Sequence, residues 1–358
     1  INIDTEIPEM KFKEFVQYLF NFGQLDDSRL AWIDYAKGIA IVMIVFRHVN
    51  TGFWDASVPL DPLFYDLAEQ VGLTFRMPLY FLLSGIFFFR SFTKRGIKGY
   101  TVHKFNTIMY PYFIWGIILM FLQFVFSKYV NGKFDSFSDF LTIFYDPWGH
   151  WWFLYALFVV SVLYMLLFQV FKGNRPAILL ISLAFYFGSY QIGRFYVFDD
   201  ILELMVFFTL GDMVAQYAVK LHEIRWLNRK DILALAILIA FAGEYLLFTI
   251  WRDVPLAILI FAIFGSFAAS LVCLHLSRSP YKIFGILRVF GQHSLYIYLF
   301  HAFTAPAMRV LLIHLMGVES IIVLEVLCFA SGLIGSIVVY RFIKYFNGSF
   351  LFVPPGHR

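Results

Sequence analysis

The chain has 358 residues, of which 61% are hydrophobic, 21% are aromatic and only 15% are charged. Soluble domains carry about 25% charged residues and about 45–50% apolar ones, so this composition excludes a water-soluble protein and indicates one whose solvent is lipid. The net charge of +4 comes from lysines and arginines that are dispersed between apolar runs, which excludes a nucleic-acid-binding surface.

The N-terminal segment is short and amphipathic. Residues 10–22 place apolar side chains near helical spacing, with Lys11, Lys13, Glu14 and Gln17 between them. A segment of this kind is better suited to lying on a membrane surface than to crossing it. We therefore expect residues 1–30 to form a cytoplasmic, interfacial segment. We expect no cleavable signal peptide, because the segment is mixed in charge and lacks a small-residue cleavage site.

Ten long apolar runs follow, each near the roughly 20 residues that a helix needs to cross a bilayer. They cover residues 32–53, 70–91, 108–129, 151–171, 177–193, 200–219, 231–251, 255–277, 291–314 and 320–343. We predict an all-α integral membrane protein with about ten transmembrane helices in one bundle. The membrane domain covers residues 31–345, and residues 346–358 form a cytoplasmic tail.

Basic residues crowd every second connection between these runs. The second, fourth, sixth and eighth connections and the end of the last run carry Arg90, Lys94, Arg95, Lys98, Lys104, Lys172, Arg175, Lys220, Arg225, Arg229, Lys230, Arg278, Lys282, Arg288, Arg341 and Lys344. The alternate connections hold few bases and several acids. Short cytoplasmic loops are enriched in lysine and arginine, so both termini are predicted to be cytoplasmic. The predicted location is the inner (plasma) membrane.

The first run contains polar residues that are costly in lipid. Lys37 and His48 are eleven residues apart, so at about 100° per residue they share one helix face, roughly 16 Å apart along the axis. Asp34 precedes Lys37 by three residues and can pair with it. One interpretation is a polar groove with a cation at one end and a titratable imidazole further in. The other is a headgroup anchor, with His48 hydrogen-bonded between helices.

The ninth run repeats this pattern with Ser294, Tyr298 and His301, which share a face at helical spacing. Arg76 in the second run precedes a proline at which a kink is predicted. Further acids lie inside runs at Glu203, Asp212 and Glu244, where a salt bridge explains them at least as well as catalysis.

His103 and Lys104 lie in a basic connection, which is either a topology signal only or an attraction for an anionic donor such as coenzyme A. The sequence has no paired metal motif, no glycine-rich phosphate loop and no Gly-x-Ser-x-Gly elbow. We therefore expect no metal and no permanently bound cofactor.

Five segments in order resemble the type-3 integral-membrane acyltransferase family, in particular its sugar O-acetylase branch, which includes fucose acetylases. They are Ile33-Asp34-Tyr35-Ala36-Lys37 followed ten residues later by His48; Met77-Pro78-Leu79-Tyr80-Phe81-Leu82-Leu83-Ser84-Gly85; Lys104 ahead of Pro111-Tyr112; His150-Trp151-Trp152-Phe153-Leu154; and Gly291-Gln292-His293-Ser294 through Tyr298 to His301. The family's basic loop carries a second base where this chain has Thr107. That difference weakens the expectation of a two-arginine clamp on the donor.

The resemblance implies a transmembrane O-acyltransferase that takes an acyl group, here expected to be acetyl, from cytoplasmic acyl-CoA. The expected acceptor is a hydroxyl of a cell-envelope saccharide or lipid-linked glycan at the extracytoplasmic side. His48 would act as general base or carry the acyl group. Candidate residues are His48, Asp34 and His301 for catalysis; Lys37, Lys104 and Arg76 for donor binding; and Trp151, Trp152 and Tyr298 for acceptor binding.

Other interpretations of the same residues stay open. Trp151 and Trp152 either stack on a sugar or belong to an interfacial aromatic belt. A polysaccharide exporter would use the polar residues to line a permeation path, but it should show repeats and broken helices in matching positions. No such repeat is visible in the sequence. A non-catalytic subunit of an envelope-polysaccharide assembly would tolerate the loss of His48.

Overall fold

The computed structural model describes residues 12–22, 30–70, 72–125, 137–147, 149–193 and 195–356. The beginning of the predicted surface segment, up to Lys11, lies outside these residues. The described residues form fifteen α-helices and no β-strand. The helices are α1 Phe12–Phe20, α2 Ala31–Asp55, α3 Pro62–Gln70, α4 Arg76–Ile86, α5 Phe88–Lys104, α6 Tyr110–Val125, α7 Trp152–Val170, α8 Arg175–Ile192, α9 Phe198–Val219, α10 Lys230–Thr249, α11 Pro255–Leu276, α12 Gly285–Gln292, α13 Ser294–Val310, α14 Ile321–Ala330 and α15 Ser336–Tyr345.

Seven stretches within the described ranges are long and apolar enough to cross a membrane, which confirms a multi-pass membrane protein. They are Phe88–Leu122, Leu141–Val170, Phe198–Val219, Lys230–Thr249, Pro255–Leu276, Ser294–Leu315 and Ile321–Tyr345. The count of about ten, the cytoplasmic placement of both termini and the surface position of α1 stay predictions.

Three of the ten predicted runs are not among these seven stretches. The run at 32–53 forms the long helix α2, but its acids and bases lower the hydropathy. The run at 70–91 is divided, because a turn precedes α4 and α4 has only 11 residues. The run at 177–193 forms α8, which has 18 residues, and the polar residues at its two ends, Arg175 and Gln191, lower its mean hydropathy.

The second predicted connection is helical instead of a loop. Helix α5 covers its basic residues, and a π-helical turn from Phe105 to Met109 joins α5 to α6. Gly96 interrupts α5 with a φ of +66°, a left-handed conformation that glycine adopts without a steric penalty. Lys104 therefore lies inside a continuous helical stretch that runs from α5 through the π-helical turn into α6.

Helix α2 lies at the centre of the fold and packs against α12, α11, α13 and α4. Its crossing with α12 is close because glycines meet the opposite backbone in both directions. A Cβ at Gly38 would overlap the carbonyl group of Leu287, and a Cβ at Gly291 would overlap that of Asp34. In membranes such small residues let helix backbones approach and gain packing contacts that larger side chains prevent.

Helices α4 and α9 also cross closely because each has a glycine at the contact. A Cβ at Gly85 of α4 would overlap the carbonyl of Phe208, and a Cβ at Gly211 of α9 would overlap that of Leu82. Two of the sequence motifs therefore contain glycines whose role is helix packing. The two crossings hold α2 and α4 in fixed positions, and both helices contribute residues to the site described below.

We predict that Gly291→Ala destabilises the protein by about 1–3 kcal/mol, because the added methyl group must displace one of two packed backbones. Thermal unfolding of the purified protein in detergent measures the effect as a lower midpoint. The matched control is Gly188→Ala on α8, where a Cβ meets nothing within 4 Å. Equal midpoints for the two variants would contradict the close crossing.

Candidate functional site

Three imidazole rings from distant parts of the chain lie side by side. His48 comes from α2, His150 from a short 3₁₀ turn at Gly149–Trp151, and His301 from α13. The ring centroids are 5.2 Å apart for His48 and His301, 5.0 Å for His150 and His301, and 6.1 Å for His48 and His150. His150 and His301 are buried, and His48 is half-buried. We call these residues the histidine cluster.

The hydrogen bonds of His301 identify the ring nitrogen that keeps a lone pair and can accept a proton. Its Nδ1 lies 3.0 Å from the carbonyl oxygen of Ile297 and 2.9 Å from that of Tyr298. Both oxygens can only accept, so Nδ1 carries the hydrogen and Nε2 of the neutral ring keeps a lone pair. Nε2 of His301 and Nε2 of His150 have no hydrogen-bond partner among the described residues. Buried polar atoms without partners are rare and indicate a place where a ligand or water binds.

Tyr298 lies beside the cluster, one helical turn before His301. Its ring centroid is 5.3 Å from that of His150 and 5.2 Å from that of Phe153. Its hydroxyl group is buried and has no partner within the described part of the chain. The sequence prediction that Tyr298 and His301 share a face is therefore confirmed by their common contact with His150.

The cluster borders a cavity of about 500 Å³, within the usual range for small-molecule sites. His48, His150, Tyr298 and Trp152 form its aromatic wall. Charged residues of both signs complete the lining, namely Arg47, Arg76, Asp200, Glu203, Glu244 and Arg252. We call this space the His48 cavity. Aromatic faces together with donors and acceptors suit a ligand that carries many hydroxyl groups.

Polar contacts hold the rim of the His48 cavity in place. Arg47 Nε lies 2.8 Å from Glu69 Oε2, and the Thr51 hydroxyl donates to Glu69 Oε1 at 2.6 Å, which ties α3 to α2. On the opposite wall the Thr74 hydroxyl donates to Glu244. These contacts order the cavity rim before any ligand binds.

A second cavity, of about 840 Å³, lies at the other end of α2. Lys37, Arg90 and Arg175 supply bases to its lining, and Asp34 and Asp212 supply acids. We call it the Lys37 cavity. Lys37 and His48 therefore line two separate cavities, whereas one interpretation of the sequence is a single polar groove along their shared face. Ile41 lies between them on α2 and is fully buried.

Of the three predicted donor-binding residues, Arg76 lies apart, whereas Lys104 is close enough to Lys37 for their charges to interact. Arg76 is buried and lines the His48 cavity, whereas Lys37 lines the other one. Lys104 ends α5 with its ammonium group 5.6 Å from the ring centroid of Tyr100. The separation arises because Arg76 begins α4 at the same end of the bundle at which α2 presents His48. Donor binding by these three residues stays a prediction.

Asp34 links two helices. It is buried on α2 and accepts a hydrogen bond from Gln292 Nε2 at 3.0 Å, and its carboxylate lies 3.7 Å from Arg288 Nε. Both partners belong to α12. The sequence suggested Lys37 as the partner of Asp34, but residues on another helix cannot be identified from spacing along one helix.

The tryptophan pair is divided between the protein interior and the His48 cavity. Trp151 is buried, with its ring centroid 4.8 Å from that of His150 and 6.0 Å from that of Tyr112. Trp152 lines the His48 cavity. Trp151 therefore supports His150 from behind, and Trp152 offers a face to a ligand. Acceptor binding by either residue stays a prediction.

Asp212 forms the salt bridge that the sequence offered as an alternative to catalysis. Its carboxylate lies 2.7 Å from Arg175 Nε and accepts a hydrogen bond of 2.7 Å from the Tyr164 hydroxyl. Glu203 accepts a hydrogen bond of 3.3 Å from Tyr190 at the rim of the His48 cavity.

His150 is the residue that sequence reasoning did not select. It appeared only as the first residue of an aromatic motif, in a connection where a histidine is unremarkable. The available signal was its position directly before Trp151-Trp152 at the beginning of a predicted span. Three histidines meet here, but in the described part of the chain no three metal-binding side chains are placed to hold an ion.

Comparison with known proteins identifies the family to which the chain belongs. The model of the acyltransferase domain matches residues 30–341. Glucans biosynthesis protein C of Escherichia coli K12 (DH10B) is 25% identical over 154 residues, which are 41% of this chain and 39% of that protein. Its counterpart from Escherichia coli O1:K1 is 26% identical over the same lengths. The alignments thus span about two fifths of these relatives. No solved structure matches the chain significantly.

We predict that Asp34→Ala lowers stability by about 1–3 kcal/mol, because Gln292 loses its hydrogen-bond acceptor and Arg288 loses an ion-pair partner at a buried helix crossing. Asp34→Asn keeps an oxygen acceptor for Gln292 and should lose less. Thermal unfolding measures both, with Asp253→Ala in an exposed turn as the control. An unchanged midpoint for Asp34→Ala would show that the carboxylate does not stabilise the crossing.

Proposed function

Because this chain belongs to the type-3 integral-membrane acyltransferase family, we propose that it transfers an acetyl group from acetyl-CoA to a hydroxyl of a cell-envelope saccharide. The observation that carries the proposal is the histidine cluster, in which His48 and His150 line a polar, aromatic-walled cavity and the Nε2 atoms of His150 and His301 keep lone pairs without described hydrogen-bond partners. A general base needs such a lone pair next to the substrate hydroxyl.

The transfer needs a base that removes the proton of the acceptor hydroxyl and a proton for the thiolate that leaves. His48 takes the proton of the acceptor hydroxyl as its oxygen attacks the thioester carbonyl. The carbon–sulfur bond then breaks, and the coenzyme A thiolate leaves and takes up the proton. The Tyr298 hydroxyl donates a hydrogen bond to the oxyanion of the tetrahedral intermediate. The neighbouring rings of His150 and His301 can accept the proton that His48 has taken and so keep it close to the departing thiolate. If His48 instead carries the acetyl group, the same bonds break in two successive steps.

The two cavities offer separate binding sites for the donor and the acceptor. The Lys37 cavity supplies Lys37, Arg90 and Arg175 for the phosphates of acetyl-CoA on the side that we take as cytoplasmic. The acyl group sits at the end of a long flexible arm, and the buried Ile41 between the two cavities has to move aside for that arm to reach His48. The His48 cavity then takes the saccharide from the extracytoplasmic side. A protein that only exported saccharide would not need both places.

Two features support a saccharide acceptor. The His48 cavity combines Trp152 with acids and arginines, a combination that suits the apolar faces and hydroxyl groups of a sugar. The similar proteins carry a name that refers to glucan biosynthesis. Membrane embedding and the family's chemistry together support a site that acts on envelope material.

We predict that His48→Ala reduces acetyl transfer by about 10²–10⁴-fold, the usual loss when a general base is removed. The assay uses purified protein in lipid vesicles, labelled acetyl-CoA and a panel of saccharides. His314→Ala, at an exposed position outside the site, is the control and should retain full activity. Full transfer by His48→Ala at normal protein level would overturn the proposal.

The same assay without acceptor distinguishes the two roles of His48. Label that stays on the protein and is absent from His48→Ala identifies an acyl carrier. A protein that stays unlabelled but transfers acetyl once saccharide is added uses His48 as a base.

We predict that His301→Asn folds normally but loses most activity, because an asparagine amide can replace the Nδ1 donor while removing the Nε2 lone pair. The measurement compares kcat for transfer with the thermal midpoint. A large fall in kcat at an unchanged midpoint is expected. Unchanged kcat would assign His301 a packing role only.

A further inference from the structure

A pair of polar side chains lies inside the bundle, away from the two cavities described above. Asn50 on α2 is fully buried, and Glu325 on α14 is half-buried. Neither residue lines the His48 cavity or the Lys37 cavity. Asn50 follows His48 by two residues, so at about 100° per residue it lies on the opposite side of α2. The pair therefore belongs to the contact between α2 and α14.

A hydrogen bond joins the pair and identifies the orientation of the asparagine amide. Asn50 Nδ2 lies 3.0 Å from Glu325 Oε1 and 2.9 Å from the backbone carbonyl oxygen of Phe46. A backbone carbonyl can only accept, so the group that faces it must be the amide nitrogen. Both hydrogens of that nitrogen are thereby used, one on each acceptor. The amide oxygen Oδ1 is left to accept a hydrogen bond from another donor.

Two buried oxygen atoms of the pair lack such a donor. Asn50 Oδ1 and Glu325 Oε2 are both without a hydrogen-bond partner among the described residues. An amide and a neutral carboxylic acid can form a closed ring of two hydrogen bonds, N–H to one acid oxygen and O–H to the amide oxygen. The first of these bonds is already present. A single proton on Glu325 Oε2 therefore supplies what both atoms lack.

The charged and titratable groups packed around Glu325 do not stabilise a carboxylate there. Arg309 on α13 donates to the backbone carbonyl of Gly52, and Cys328, one turn after Glu325, is a buried free thiol. Asp55, at the end of α2, carries the same sign of charge as a carboxylate. In the described part of the chain Glu325 has no ion-pair partner. A buried carboxylate without a base is costly, whereas its neutral acid is much less so.

We propose that Glu325 is a proton-binding site, in which the neutral carboxylic acid pairs with the Asn50 amide through two hydrogen bonds and holds α14 against α2. Uptake of a proton from water forms the O–H bond on Oε2. Its release to water leaves a carboxylate that repels Asn50 Oδ1, so α14 is then held less tightly. The inference is independent of the proposed function, and its tests need no substrate.

Infrared spectroscopy tests the proton directly, because a carboxylic acid has a C=O stretching band apart from the bands of carboxylates and amides. The purified protein at neutral pH is compared with Glu325→Gln, which keeps the shape and replaces the acid O–H with an amide N–H. The other buried acids, Glu203 and Glu244, contribute equally to both spectra. We expect a carboxylic acid band that the variant lacks. The matched control, Glu319→Gln in an exposed turn, should retain the band.

A carboxylate band in the difference spectrum would overturn the inference. It would show that Glu325 is ionised and that a water molecule or a cation satisfies the two oxygens instead.

Thermal unfolding at different pH values is an independent test. Unfolding exposes Glu325 to water, where a glutamate is ionised above about pH 5, so the proton held in the folded state is released. Stability then falls as the pH rises, by up to about tenfold in the unfolding equilibrium constant per pH unit. Between about pH 6 and about pH 8 we expect the midpoints of the unmodified protein and of Glu319→Gln to fall relative to that of Glu325→Gln. Parallel curves for the unmodified protein and Glu325→Gln would contradict proton binding.

A second variant, Glu325→Met, keeps the infrared test possible if the glutamine variant does not fold. Methionine has a similar length but no hydrogen-bond donor for Asn50 Oδ1. The acid band must be absent from this variant as well. Where both variants fold, the midpoint of Glu325→Met should lie below that of Glu325→Gln at every pH. Equal midpoints would show that the amide oxygen needs no donor, and the inference would be wrong.

Discussion

The site depends on how closely α2 and α12 cross. Gly38 and Gly291 let each helix backbone touch the other, and Asp34 fastens the crossing through Gln292 and Arg288. Helix α13 begins two residues after α12 ends, so its position follows from this crossing. His301 on α13 thereby lies with its ring centroid 5.2 Å from that of His48 on α2. A side chain larger than hydrogen at either glycine would meet the opposite backbone and force α2 and α12 to shift.

Burying polar groups inside a membrane protein is costly unless they have partners, and most of the acids and bases at this site have them. Arg47 pairs with Glu69, Asp212 with Arg175 and Tyr164, and Glu244 with Thr74. Three of the buried polar atoms without a described hydrogen-bond partner lie next to each other, on His150, Tyr298 and His301. Apart from the pair on Asn50 and Glu325, the other such atoms are dispersed over the described part of the chain, for example on Trp32, Asp212 and Ser266. It is the grouping of three beside the His48 cavity that suits a substrate which completes their hydrogen bonds.

Helix α2 relates the histidine cluster to two different environments. The His48 cavity combines aromatic faces with charges of both signs, and the Lys37 cavity carries bases at the other end of α2. The central position of α2 fixes the two cavities relative to each other, because the helix contributes residues to both. The proposed transfer uses this arrangement by binding one reactant in each cavity.

The sequence by itself determined the solvent, the helical class and the main candidates. Its apolar content required lipid, and the eleven-residue spacing of Lys37 and His48 correctly put both on one face of α2. The motif order led to the family. Periodicity is reliable for such relations because a helix has a fixed rise and rotation per residue.

Only the tertiary structure decided which helices meet. It brought His150 to the cluster from a short turn, placed Arg76 with His48 and apart from Lys37, and gave Asp34 its partners on α12. It also showed that the motif glycines Gly85 and Gly291 serve helix crossings. None of these follows from spacing along one helix, because contacts between helices depend on crossing geometry, and that geometry is set by packing across the whole bundle.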